Sequence, residues 1–356
     1  MRVLPKREVR RECVMLQPII IGFGRSGRDL HLRCLRKAAA SEEAEDLFHQ
    51  QVIVIDPYIK NKSFEDVAFC GSLQEAAGLR PSICQDAVLH ICTPPSAHIS
   101  VIKEAASAGF RHMIVEKPLT DDVGEIDALI KSVEEHQLDV IVVANWLSSR
   151  LTAKIQTFLE QKTFGNLQAV YLQQDKPRFC RTLENSSHGN AFDIEAPHQM
   201  ALACFLQGAD AEVIASETKD MVIGQQRYMR LGGAEAVLKH TNGSRTYIAS
   251  NLTSFVKQRT VKIQFEQYTL LGHFPPDGSD SYSNISIYNS ANEMVHSELI
   301  YDDPLSLCFI EYYQYFHGIS QIKPVSDIYF NQKIIQLLEE AKAKSEIKLH
   351  TKGAVI

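Results

Sequence analysis

Residues 17–40, "QPIIIGFGRSGRDLHLRCLRKAAA", decide the fold. An apolar run of strand length meets a glycine-rich turn, and a helical pattern opens directly behind it. Gly22-Phe23-Gly24-Arg25-Ser26-Gly27 has the spacing G-x-G-x-x-G. Three physical demands call for glycine there: the turn is tight, the backbone must approach a pyrophosphate, and the helix must pack close on the strand. The helix N-terminus then offers N–H groups and a positive dipole end to phosphates. The motif alone is weak evidence; its place between the first strand and a helix gives it weight.

Working outward, "QVIVIDP" is a second apolar run that ends in Asp56. A carboxylate there accepts from ribose hydroxyls and repels a 2′-phosphate, which favours NAD over NADP. The gap from Gly22 to Asp56 exceeds the usual ~20 residues, and Lys60 nearby leaves NADP use open. A plain turn before Pro57 is the competing reading of Asp56. "DAVLHICTPP" is a third strand, "SAHISVIKEAASAG" a helix stopped by Gly109, "FRHMIVEKP" a strand, "DDVGEIDALIKSVEEHQ" a helix and "LDVIVVAN" a strand. Short apolar strands alternating with amphipathic helices predict a doubly wound parallel sheet over 16–146. From 147 to 356 the pattern changes to longer strands with few helices: "LQAVYLQQD", "AEVIASET", "RTYIASNLT", "TVKIQFEQYTLLG", "SNISIYNS" and "EMVHSELIY". That predicts an α+β domain with a large, open, mostly antiparallel sheet. One helix interrupts it, ending at Gly208, and two more close the chain near 305–318 and 326–344. The fold class is therefore α/β, with two domains behind a basic arm at 1–15.

The 356 residues are 45% hydrophobic and 22% charged, with a net charge of −6, so general attraction to nucleic acid or an anionic membrane is not expected. No apolar run reaches the ~18 residues of a membrane span. Eight scattered cysteines without a C-x-x-C pair read as reduced thiols, and with them the chain as cytoplasmic. The arm "MRVLPKREVRREC" lacks an apolar segment and reads as disordered rather than as a secretory signal, with Met15 an alternative start.

Four further stretches carry chemistry. "CTPPSAH" (92–98) stops a strand at the carboxyl end of the sheet, where ligands bind in this class. Thr93, Pro94 and His98 read equally as cofactor contacts or as a rigid turn. "VEKPLT" (115–120) ends a buried strand in a carboxylate and an amine, Asn145 ends the last strand, and "DIEAPH" (193–198) opens a helix. Pro197 belongs in a first helical turn, which places the helix start near Ala196. In this order the residues resemble the glucose-fructose oxidoreductase / inositol dehydrogenase / MocA family of NAD(P)-dependent oxidoreductases. The resemblance covers the first 200 residues; beyond them it is architectural only.

The resemblance implies a Lys117 that touches substrate and nicotinamide ribose, and a loop shaped by Pro118, often as a cis bond. Gly22, Gly24, Arg25, Ser26, Gly27, Asp56, Thr93, Pro94, His98, Glu116, Lys117 and Asn145 are then the cofactor contacts, with Glu116 orienting the lysine or closing the loop. It also implies an Asp and a His four apart at the helix start, the His as general base. Here Asp193 and His198 are five apart, with Glu195 between, so either carboxylate fills the supporting role. Lys117, His198 and Asp193 form the catalytic set. Lys117, Asn145, Lys176, Arg178, Asp193, Glu195 and His198 are the substrate candidates. Lys176, Arg178 and Arg181 suit phosphate or carboxylate groups, or form a basic surface loop. Position 147, where the family often has Arg, is Leu. A metal site from Asp193, Glu195 and His198 lacks a fourth ligand.

These residues point to an NAD-dependent oxidoreductase acting on a secondary hydroxyl or keto group of a sugar, sugar phosphate or cyclitol. The expected partner is a small polar molecule, and the resemblance implies a homodimer or homotetramer. An imine or other carbonyl reductase is one rival. A dinucleotide-binding regulator without turnover is another, and it has no use for a Lys117–His198 pair.

Overall fold

The computed structural model describes residues 15–44, 46–59, 64–120, 122–184, 189–276 and 280–353, with side chains to 346. Lys60 and all but the last residue of the basic arm lie outside the described residues. The chain divides into two compact units, one of 1–116, 132–140 and 309–324, the other of 117–131, 141–308 and 325–356.

The first unit is built on a parallel sheet. Its strands are β1 (Gln17–Ile21), β2 (Val52–Ile55), β3 (Val67–Cys70), β4 (Ala87–Ile91), β5 (His112–Val115) and β6 (Asp139–Val142), in the order β3-β2-β1-β4-β5-β6. The β1–β2, β1–β4, β2–β3 and β4–β5 pairs run parallel. β1, β2 and β4 are buried along their whole length, which explains their largely apolar composition. The strand order reverses between β1 and β4, so their carboxyl ends frame the crevice where this architecture binds ligands. Behind the glycine turn the chain forms a π-helical segment, Arg25–Leu32, that continues as the helix Arg33–Ala39. β3 was not foreseen: "VAFC" is short and only half-buried.

The second unit carries an eight-stranded sheet. Its strands are β7 (Leu167–Asp175), β8 (Ala211–Ile223), β9 (Gln226–His240), β10 (Arg245–Asn251), β11 (Gln258–Phe265), β12 (Tyr268–His273), β13 (Tyr282–Asn289) and β14 (Met294–Tyr301), in the order β14-β13-β12-β11-β7-β10-β9-β8. Only β7 and β10 pair in parallel; every other pair is antiparallel. Residues from the helices Arg150–Glu160, Ala196–Gln207 and Ile328–Gly353 bury one face, with Leu151, Met200, Leu202 and Leu338 in one core with Val170, Leu238, Ile248 and Val261. β9 departs from the sequence reading, which had no strand there. Gly232 and Gly233 interrupt its alternation because the sheet closes tightly on them: a Cβ on Gly232 would lie 2.1 Å from the Asp220 carbonyl oxygen. The run 260–272, read as one strand, is the hairpin β11–β12, turned at Glu266-Gln267 without glycine or proline. No helix among the described residues is long and apolar enough to cross a membrane.

Candidate active site

In the first unit the glycine loop leaves β1 at a point only glycine can occupy. Gly22 has φ +87°, and a Cβ there would meet the Cys92 carbonyl group and the Thr93 nitrogen at 3.0 Å. Gly27 packs so closely that its Cβ would lie 2.1 Å from the Gly22 carbonyl oxygen. Gly24 is the opposite case: a Cβ there would meet nothing within 4 Å, which leaves room for a group to approach the backbone. Asp56 closes this end. Its carboxylate accepts from the Phe23 N–H at 2.6 Å and the Tyr58 N–H at 2.8 Å, which fixes an acceptor at the carboxyl end of β2.

The turn after β4 is equally constrained. Pro94 and Pro95 stop the strand and start the helix Pro95–Ser107, and the buried His98 ring donates back to the Thr93 carbonyl through Nε2 at 2.9 Å. Thr93 Oγ1 is buried without a partner among the described residues. At the end of β5, Glu116 Oε1 accepts from Ser26 Oγ at 2.7 Å and lies 2.9 Å from His31 Nε2. The room at Gly24, the fixed carboxylate and the orphaned hydroxyl fit a dinucleotide. Arg25 is exposed, and Asn145 is half-buried in the turn after β6.

The second unit begins at Lys117, joined to Pro118 by a cis peptide bond. Lys117 Nζ donates to the Ile194 carbonyl at 3.1 Å. Lys117 and His198 line one pocket with Pro118, Pro197, Val143 and Ile334 among its walls. The helix carrying His198 starts at Ala196, with Pro197 in its first turn, as the proline position predicts. Trp146 stacks on the His198 ring at 5.8 Å and on Phe274 at 4.8 Å. Burial lowers the His198 pKa, and the Lys117 ammonium lowers it further; Glu195 opposes them, and the result is about 3. The imidazole is therefore neutral at pH 7, with a lone pair on one ring nitrogen.

Glu195 is the buried carboxylate of the cluster. Lys176 reaches its Oε1 at 2.7 Å, Arg178 approaches at 3.6 Å, and Gln174 Nε2 donates to its Oε2. Burial pushes the Glu195 pKa up, but Lys176, Lys117 and His198 outweigh it and bring it down to about 2. Asp193, in the turn before the helix, pairs instead with Lys342 at 2.5 Å. Of these two carboxylates, Glu195 is the one on which the charges of His198 and Lys117 act. Lys176 itself has its pKa lowered by burial, against the pull of Glu195. Arg181 sits on the short helix Phe179–Glu184. Among the described residues no group of three or more His, Cys, Asp or Glu side chains is placed to hold a metal.

Sequence reasoning missed Gln174, His31, His90 and Tyr313. His90 carried a signal, being the one polar residue inside the buried strand "AVLHI". Tyr313 had none, because it lies 223 residues from the histidine it meets.

A sheet that changes strand order at a glycine loop, with a fixed carboxylate beside it, defines a dinucleotide-binding protein of the Rossmann class. Residues 16–144 match the Gfo/Idh/MocA family model, described as the NAD-binding Rossmann fold of an oxidoreductase family. Over 91 residues the chain is 42% identical to UDP-N-acetylglucosamine 3-dehydrogenase of Acidithiobacillus ferrooxidans, covering 25% of this chain and 28% of that one. Levoglucosan dehydrogenase of Pseudarthrobacter phenanthrenivorans is 26% identical over 167 residues, 44% of this chain and 42% of that one. The matched stretches span less than half the length of these curated relatives. In fold the likeness extends further. The structure of levoglucosan dehydrogenase with NADH and levoglucosan has a TM-score of 0.70 at 14% identity, covering 93% of this chain and 97% of that one. An NAD-binding oxidoreductase from Klebsiella pneumoniae has a TM-score of 0.73 at 14% identity, covering 94% and 98%.

Proposed function

We propose that the protein is an NAD-dependent oxidoreductase that moves a hydride between nicotinamide and a secondary hydroxyl or keto group of a sugar or cyclitol. The observation that carries this reading is that Lys117 and a neutral, half-buried His198 line one pocket. Oxidation of an alcohol must remove the hydroxyl proton as hydride leaves, and a neutral imidazole is the form that can take it. The Lys117 ammonium stabilises the developing alkoxide and orients the hydroxyl. Glu195 anchors Lys176 and Arg178, and its charge keeps the imidazolium that forms from facing cations alone.

The residues 16–146 hold the dinucleotide and 147–356 supply the substrate contacts, with Lys117 and Asn145 serving both. Gly22, Gly24, Arg25, Ser26 and Gly27 take the pyrophosphate, Asp56 the adenosine ribose, and Thr93, Pro94, His98 and Glu116 the far half. Asp56 favours NAD; NADP use is the alternative. When bound, nicotinamide supplies the hydride acceptor. Lys176 and Arg178 are paired with Glu195, which favours an uncharged polyol over a phosphorylated one. The sugar substrates named for two of the relatives agree with this class. We also assign a role as a cytoplasmic homo-oligomer.

The test is NADH binding by fluorescence, followed by turnover on a panel of sugars, inositols and sugar phosphates. His198→Asn and Lys117→Met should each lower kcat by about 10²-fold or more. His198→Asn should keep the wild-type dinucleotide affinity within a few-fold, whereas Lys117→Met, which touches both cofactor and substrate, should also weaken it. Turnover unaffected in both variants would overturn the assignment, and NADH binding without any turnover would favour a regulator.

A further inference from the structure

A chain of buried polar groups runs away from the glycine loop into the core of the first unit. Ser26 Oγ meets Glu116 Oε1 at 2.7 Å, and the same oxygen meets His31 Nε2 at 2.9 Å. His31 Nδ1 meets His90 Nδ1 at 2.9 Å, and His90 Nε2 meets the Tyr313 hydroxyl at 2.9 Å. His31, His90 and Tyr313 are fully buried. Phe309 packs on both imidazole rings, at 4.8 and 5.0 Å, so the rings cannot turn without disturbing the core.

The chemistry of the groups gives the chain a direction. Burial raises the Tyr313 pKa well above its ordinary value, so the phenol keeps its hydrogen. Burial, helped by His31 and opposed by Glu116, lowers that of His90, so this imidazole is neutral and carries one hydrogen. A neutral imidazole donates from one nitrogen and accepts at the other. If Tyr313 O–H donates to His90 Nε2, then His90 Nδ1–H donates to His31 Nδ1, and His31 Nε2–H donates to the Glu116 carboxylate. Every bond is then satisfied with a single hydrogen each. The opposite direction places an extra proton on His31 and asks the phenol hydrogen to find another acceptor in a packed core. The chain ends on a buried tyrosine, so it leads no proton to solvent.

We propose that Tyr313, His90 and His31 form a one-way donor relay that holds Glu116 oriented on Ser26, and that they are positioning residues for dinucleotide binding. The relay ties the start of the helical segment behind the glycine loop to the end of β5. Glu116 receives two donors on one oxygen, which fixes its rotamer beneath the residues assigned to the cofactor. This inference rests on the dinucleotide reading of the glycine loop.

The experiment combines a spectroscopic and a binding readout on the full chain. Histidine ¹⁵N NMR should show the hydrogen of His31 at Nε2 and that of His90 at Nδ1. In Tyr313→Phe the ring still packs on Phe48, so folding should survive. That variant should shift the His90 nitrogens and weaken NADH binding by about three- to tenfold, the scale of one lost hydrogen bond. His31→Gln should weaken it at least as much, and a Ser100→Ala control on the exposed side of another helix should not. Finding His90 protonated at Nε2 in the wild type would overturn the proposed direction. Unaltered NADH affinity in both Tyr313→Phe and His31→Gln would overturn the positioning role. A wild type that fails to bind NADH would instead sink the dinucleotide reading, and the nitrogen assignments would tell the two failures apart.

Discussion

His198 and Glu195 are two titrating groups in one cluster with opposite needs. His198 has a pKa of about 3, against an ordinary value near 6.5. The unfolded chain therefore binds a proton on this residue that the folded chain refuses. Its contribution to stability is complete above pH 6.5 and falls away as pH drops toward 3. Urea titrations should lose about 2 kcal/mol from this residue between pH 7 and pH 5, and His198→Gln should remove that share. Glu195, lowered to about 2, adds its loss only below pH 4.5, so the loss between pH 6.5 and 4.5 is that of His198 alone and the two overlap below it. In catalysis the same depression predicts that kcat/KM shows no acid limb near pH 6.5 from the free enzyme; an essential group titrating there would contradict His198 as the base. Glu195→Gln should be costly in its own right, by about 3–5 kcal/mol in urea titrations, because it takes the carboxylate from Lys176 and Arg178 and leaves a buried amide in its place.

At the level of elements, glycines at different positions make different predictions. Gly232→Ala drives a Cβ against the Asp220 carbonyl and should cost about 1–3 kcal/mol in thermal or urea unfolding. Gly24→Ala meets open space and should leave unfolding unchanged, yet lower NADH affinity about tenfold by blocking approach to the backbone. The parallel half was readable from sequence because each of its main strands ends in a chemical marker: Gly22 after β1, Asp56 after β2, Thr93 after β4 and Glu116 after β5. The second sheet was harder to read. In β9 the paired glycines answer to neighbouring strands rather than to a turn, and the β11–β12 hairpin turns on Glu266-Gln267, residues with no turn signature. The site divides the same way. The candidates Lys117 and His198 stand out by position in the chain, whereas the different partners of Glu195 and Asp193, Lys176 and Lys342, are contacts that no local spacing encodes.

For the whole molecule, the interleaving of the two units governs what a fragment can do. Residues 309–324 return to the first unit and bring Phe309, Tyr313 and Phe316, which pack against His90, Phe48 and His112. A fragment ending near residue 147 carries the full glycine loop but lacks these rings. It should unfold at a lower urea concentration than the intact chain and bind NADH more weakly, and a supplied 304–324 peptide should restore part of the binding. The chain passes between units at 116/117, 131/132, 140/141, 308/309 and 324/325. The first of these junctions separates Glu116, fastened to Ser26 and His31, from Lys117, fastened to Ile194. Recombination between relatives therefore has no clean seam: a chimera that imports a new second unit must splice at five places, and one splice falls on the peptide bond linking Glu116 to the proposed catalytic lysine.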